Sequence, residues 1–105
     1  MLAGDGHYLF VYHGGSVPQT EEGGRAVTAA WLDWFAALGD RVVDGGNAVG
    51  PVKTVAGAGV VTKGAPNPVT GYSLIAAETL QDALDAARGC PILTRQGSVE
   101  VGRGL

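Results

Sequence analysis

Two histidines, ten acidic side chains and a single thiol carry most of the proton-transfer and nucleophilic chemistry open to these 105 residues. His13 closes an aromatic run ahead of Gly14-Gly15, and Asp44 opens an Asp-Gly-Gly-Asn stretch that ends at Asn47. An imidazole titrates near neutrality and a nearby carboxylate orients it, so His13 as a general base held by Asp44 is the sharpest catalytic pairing in the chain. The competing reading is that both residues end strands and hydrogen-bond to loop backbone. Arg25, Asn47, Asn67 and Tyr72 are the candidate ligand-binding groups. Arg25 stands near the start of an expected helix, where free amides and the helix dipole suit an anion.

The remaining reactive types lead elsewhere. Cys90 lies just past an expected helix C-terminus, where the dipole disfavours a thiolate, so it reads as a structural thiol. His7 and His13 share one face of one strand but sit about 20 Å apart at ~3.3 Å per residue, too far to share a metal. Val55-Ala56-Gly57-Ala58-Gly59 contains a Gly-x-Gly, yet Thr62 stands where a dinucleotide fingerprint needs its third glycine. Neither a metal nor another cofactor is expected. Trp31 and Trp34 fall at helical spacing, which suits core packing or, alternatively, the wall of an apolar pocket.

The elements that must position these groups follow from periodicity. His7 to His13 reads as a strand, apolar on both faces, with Leu9 and Val11 on one and Tyr8, Phe10 and Tyr12 on the other. Thr20 followed by Glu21 and Glu22 caps a helix, whose face is Val27, Ala30, Trp31, Trp34, Phe35 and Leu38 and whose stop is Gly39. Arg41 to Asp44 is a short second strand, followed by the Asp44-Gly45-Gly46-Asn47 turn. Pro51 to Val55 and Gly59 to Lys63 pair as an accessory hairpin, and Pro66-Asn67-Pro68 turns the chain. Tyr72 to Ala77 is the third main strand. Thr79-x-x-Asp82 caps a second helix with Leu80, Ala83, Leu84 and Ala87 as its buried stripe, Gly89 as its stop and Pro91 beyond. Ser98 to Arg103 is the fourth main strand.

This order, strand, helix, strand, strand, helix, strand, is the ferredoxin-like βαββαβ plan of the α+β class, with an antiparallel four-stranded sheet. In that plan His13, Asp44, Asn47, Asn67 and Tyr72 gather at one sheet edge, while His7, Arg41, Glu78 and Arg103 gather at the other. The third main strand separates the first from the second, placing their axes about 9 to 10 Å apart. A direct His13–Asp44 bond therefore requires side chains that lean inward. Two helices cover one face of the sheet only, so the apolar second face calls for another subunit.

Composition sets the outer bounds. A length of 105 residues makes one domain, residues 1–105, and 46% hydrophobic with 16% charged residues excludes a disordered chain. A net charge of −3 with scattered Lys and Arg argues against a nucleic-acid partner. The first ten residues lack the cationic and long apolar regions of a secretory leader, and no run approaches the ~18 apolar residues of a membrane span. One unpaired cysteine fits a cytoplasmic setting.

Beyond these inferences, the chain resembles the YCII-related family, also called DGPF-domain proteins, of the dimeric α/β-barrel superfamily. The resemblance rests on Tyr12-His13-Gly14-Gly15, Trp31-x-x-Trp34-x-x-x-Leu38-Gly39, Val43-Asp44-Gly45-Gly46-Asn47, Pro51-x-Lys53-Thr54-Val55, Asn67-Pro68-Val69-Thr70-Gly71-Tyr72-Ser73, Gly89-Cys90-Pro91 and Gly97-Ser98-Val99-Glu100-Val101. It spans nearly the whole chain and implies a ferredoxin-like subunit that dimerises sheet against sheet, with a cleft for a small molecule. Better-known members are similar to small-molecule lyases or dehalogenases and use a histidine of the first helix paired with an acidic residue. Here Thr28 aligns with that histidine, and Gly64-Ala65-Pro66-Asn67-Pro68 stands where the family has Asp-Gly-Pro-Phe, so the dyad does not carry over. The expectation is a homodimer with a pocket for a small metabolite, anionic or aromatic, and lyase or isomerase chemistry through His13 and Asp44. The alternative is a noncatalytic ligand-sensing or protein-interaction module.

Overall fold

The computed structural model describes residues 6–61 and 67–104, with Val60 and Val61 described by their backbone alone. Strand β1 (Gly6–Gly14) is followed by helix α1 (Glu21–Leu38), strand β2 (Val42–Ala48), the short strands β3 (Thr54–Ala56) and β4 (Gly59–Val61), strand β5 (Val69–Ala77), helix α2 (Leu80–Ala87) and strand β6 (Gly97–Arg103). Four strands form one antiparallel sheet in the order β2-β5-β1-β6, and β3 pairs with β4 in a separate two-stranded ribbon. The α+β architecture of four antiparallel strands and two helices is compatible with the ferredoxin-like plan. The expected hairpin forms at Thr54–Val61, while Thr62 and Lys63 of its far strand, and Pro66 of the following turn, lie outside the described residues.

Local chemistry explains where the helices start and stop. The Thr20 hydroxyl accepts the Gly23 amide at 2.9 Å, satisfying one of the free donors of α1, and the Thr79 hydroxyl does the same for Asp82 at 3.1 Å in α2. Gly39 takes a positive φ of 58° and returns its amide to the Phe35 carbonyl, closing α1. At the end of α2 the glycine acts differently. Gly89 lies so close to Trp34 that an added Cβ would stand 3.2 Å from the indole, and its amide bonds to the Ala86 carbonyl. Its smallness, and not a left-handed backbone, is what α1 requires of it.

The core lies between the helices and one face of the sheet. Tyr8, Phe10, Tyr12 and Ile75 from the strands meet Trp34 and Leu38 of α1, Ala83 and Ala87 of α2, and Cys90 and Ile92 beyond it. Trp34 donates its indole N–H to the Ala86 carbonyl at 3.0 Å, tying the two helices together. The expected stripe of α2 needs correction: Ala83 and Ala87 are buried, but Leu80 and Leu84 are exposed. The two alanines are the α2 residues that enter the core, and the larger leucines stand outside it. Ala30 of α1 is likewise exposed.

Strand β2 also departs from expectation. It runs on through Asp44-Gly45-Gly46-Asn47 to Ala48, so this segment is irregular strand and not a turn. Its ladder with β5 pairs Val42 with Ile75, Asp44 with Leu74, Asn47 with Tyr72 and Ala48 with Gly71, which leaves extra residues on the β2 side at two places. The Asp44 carboxylate accepts the Gly46 amide at 2.8 Å, and Gly46 adopts φ +74°. A Cβ at Gly46 would fall 1.8 Å from the Tyr72 carbonyl oxygen, so both the conformation and the space demand glycine. Gly46→Ala is expected to destabilise the protein by about 2 kcal/mol or more in urea unfolding. Gly50→Ala, where nothing lies within 4 Å of the added methyl, is expected to shift stability by less than about 0.5 kcal/mol.

Candidate functional site

The irregular β2 borders a cleft. On the helix-covered face, α1 and the β2–β5 side of the sheet enclose a space of about 610 Å³. Val27, Thr28, Trp31 and Phe35 of α1 form one wall, Gly45 to Val49 another, and Tyr12, Thr70 and Ser73 belong to the strands behind them. Gly14, Gly15, Ile92 and Arg95 close one end. Trp31 meets Tyr12 edge-on, with ring centroids 4.9 Å apart at 75°, and Phe35 follows at 6.0 Å, so the wall is an interlocked aromatic set. The stripe of α1 thus divides its labour: Trp34 and Leu38 are core, whereas Val27, Trp31 and Phe35 face the cleft.

A hydroxyl chain sits behind this space. Tyr12 donates to Ser73 at 2.7 Å, and Ser73 donates to the Gly45 carbonyl at 2.7 Å. Burial pushes the Tyr12 hydroxyl well above its ordinary range, only partly offset by the bond to Ser73, so the phenol stays protonated and remains a donor. Sequence reasoning missed Ser73, although a hydroxyl at a core-facing position two residues before Ile75 is a readable signal. It also missed Arg95, which belongs to a 3-10 turn over Pro91–Arg95 that no periodicity announces.

The sequence-selected residues separate into several places. His13 is buried and uses both ring nitrogens: Nδ1 lies 2.9 Å from the Asn67 carbonyl, and Nε2 lies 2.9 Å from the Glu100 carboxylate. The carbonyl can only accept, so Nδ1 carries a proton. The Nε2 contact is then a hydrogen bond only when a second proton sits between His13 and Glu100. Asp44, the expected orienter, is exposed and bonds to Gly46 within its own strand, so the His13–Asp44 pair does not form. The reason is the intervening strand: β5 lies between β1 and β2, while β6, which carries Glu100, is the direct neighbour of β1.

Asn47 and Tyr72 are brought together, the amide donating to the phenol oxygen at 3.2 Å on the sheet face that Tyr72 shares with Val11, so these side chains turn away from the cleft that their residues border. Asn67 contributes its backbone to His13. Arg25 is exposed, with Glu21 one turn away at 4.0 Å, and is not among the residues that line the cleft. The anion site expected at the start of α1 is therefore not built around it. Of the opposite edge, Arg103 stacks over the Tyr8 ring at 5.9 Å. Among the described residues no group of three or more His, Cys, Asp or Glu side chains is placed to hold a metal ion.

No protein-family model, curated protein or solved structure matches the chain.

Cys90 is buried, and burial pushes its thiol up to about 11 from an ordinary 9, with a backbone hydrogen bond from Ile92 opposing the shift. The folded state thus keeps this proton longer than the unfolded chain does. Its contribution to stability is intact below about pH 9 and declines as pH rises toward about 11. Cys90→Ala is expected to lessen the fall in unfolding midpoint over that window. A double-mutant cycle checks the imidazole's partner. His13→Ala and Glu100→Ala are expected to couple by about 0.5 kcal/mol or more, kept small by the exposure of Glu100, whereas His13→Ala and Asp44→Ala add.

Proposed function

We propose that the chain is a YCII-like cytoplasmic protein that acts as a homodimer and binds a small molecule in the cleft between α1 and the sheet. The observation that carries this reading is the cleft itself, whose 610 Å³ falls within the roughly 300–1,000 Å³ of small-molecule sites. It has the composition such sites need, with apolar and aromatic walls and a few convergent polar groups. The polar residues on its border are Thr28, Arg95 and the hydrogen-bonded Tyr12 and Ser73. They are groups that bind and orient. The noncatalytic form of the proposal is favoured, because the single imidazole–carboxylate pair among the described residues, His13–Glu100, belongs to the opposite face of the sheet. Glu100 pairs with Val11 there, and Val11 alternates with the cleft-side Tyr12. Lyase or isomerase chemistry through His13 would have to work at that second face.

The second face supports the homodimer. Leu9 and Val43 are 43% and 46% exposed, Val11 follows Leu9 on the same face of β1, and Tyr72 and Leu74 lie on β5 between the two strands. An apolar sheet face of this kind is costly in water, and a second copy, packed face to face as in a dimeric α/β barrel, covers it.

One set of measurements tests the proposal. Sedimentation at micromolar concentration is expected to give a dimer, and Leu9→Lys a monomer. A thermal-shift screen of small metabolites is expected to find compounds that raise the melting temperature, reaching about 2.7 kcal/mol of stabilisation at a hundredfold excess over Kd. Thr28→Trp, which fills the cleft, should abolish the response. A monomeric wild type sinks the dimer, and hits that survive Thr28→Trp sink the cleft.

A further inference from the structure

Resting on the cleft as the binding site, we infer its ligand class: a planar aromatic body carrying a carboxylate, with Arg95 as the group that holds the carboxylate. Arg95 is the one charged side chain among the described residues that line the cleft, and it is a cation in a chain of net charge −3. No carboxylate of the described residues lies within ion-pair distance of it, in contrast to Arg25 and Arg88, which stand near Glu21 and Asp85. Arg95, a half-buried residue on the border of an apolar cleft and without an acidic partner among the described residues, is electrostatically complementary to an anion.

The side chain is also held in place. Its Nη2 donates to the Ser16 carbonyl. The Ser16 amide donates back to the Arg95 carbonyl at 2.6 Å, so the loop after β1 and the 3-10 turn are bound to each other on both sides of the residue. Pro91 opens that turn and Gln96, at φ 64°, closes it in the left-handed region. This double anchoring uses one guanidinium nitrogen and leaves the rest of the planar fork to donate to two carboxylate oxygens. The body of the ligand is set by the facing wall. Trp31, Phe35 and Tyr12 offer ring faces and edges, and Val27 and Ile92 add aliphatic surface. The other polar residues there, Thr28 and the paired Tyr12 and Ser73, offer hydroxyls that accept or donate single hydrogen bonds and do not call for a second charge.

The test uses 2-naphthoate and its uncharged amide, 2-naphthamide, measured by calorimetry and thermal shift against the wild type, Arg95→Gln and Arg95→Lys. The wild type is expected to bind naphthoate at least tenfold more tightly than the amide. Arg95→Gln should remove that preference while leaving amide binding within about twofold, and Arg95→Lys should retain part of it. Raising the salt concentration should weaken naphthoate binding to the wild type and leave the amide unaffected, a readout that stands even if Arg95→Gln fails to fold. Equal binding of the two compounds to the wild type, insensitive to salt, overturns the role of Arg95 and leaves the cleft in place. Binding of neither compound overturns both.

Discussion

Strand β2 cannot complete its ladder with β5, and a buried hydroxyl makes good the deficit. The register shift between Asp44 and Asn47 sets Gly45 and Gly46 against Ser73 alone, so the Gly45 carbonyl would lack the partner that a regular strand supplies. Ser73 donates to it, and Tyr12 in turn donates to Ser73. This short chain of bonds spans β1, β5 and β2, and no buried side-chain nitrogen or oxygen among the described residues is left unpaired. The cleft depends on it, because the displaced backbone from Gly45 to Val49 forms the wall opposite α1.

Helix α1 works on two fronts from one sequence stripe. Trp34 bonds to α2 through Ala86 and packs near Gly89, which fixes the helix at its C-terminal half. Toward the N-terminus the same stripe stands off the sheet, and Trp31 leans on Tyr12 to keep the space open. A glycine at 89 and irregular backbone at 44–47 are therefore coupled requirements: one lets the helix approach, the other lets the sheet recede.

The architecture was largely legible in the sequence because it rests on local signals. Thr20 and Thr79 cap where their hydroxyls suggest, Gly39 stops α1, and the both-faced apolar character of Tyr8 to Tyr12 matches a central strand. The strand order placed β5 between β1 and β2, which already warned that His13 and Asp44 were too far apart. What escaped was chemistry made by long-range register. Glu100 meets His13 only because β6 is the direct neighbour of β1, and nothing local in Ser98 to Arg103 marks that carboxylate. Asp44 was read as the carboxylate that orients His13 and is instead a backbone acceptor, since an aspartate two residues before an amide readily closes that small ring. Leu80 and Leu84 were misjudged because helical periodicity names a face without saying how far the helix tilts from its support. Asn47 and Tyr72 were read as neighbours and are bonded to each other.

The two tryptophans occupy unlike surroundings only one helical turn apart. Trp34 is sealed and donates its N–H to a carbonyl, whereas Trp31 borders open space. Their intrinsic emission therefore carries separable information: the indole of Trp31 senses what enters from outside, and that of Trp34 keeps a constant colour until the chain itself comes apart.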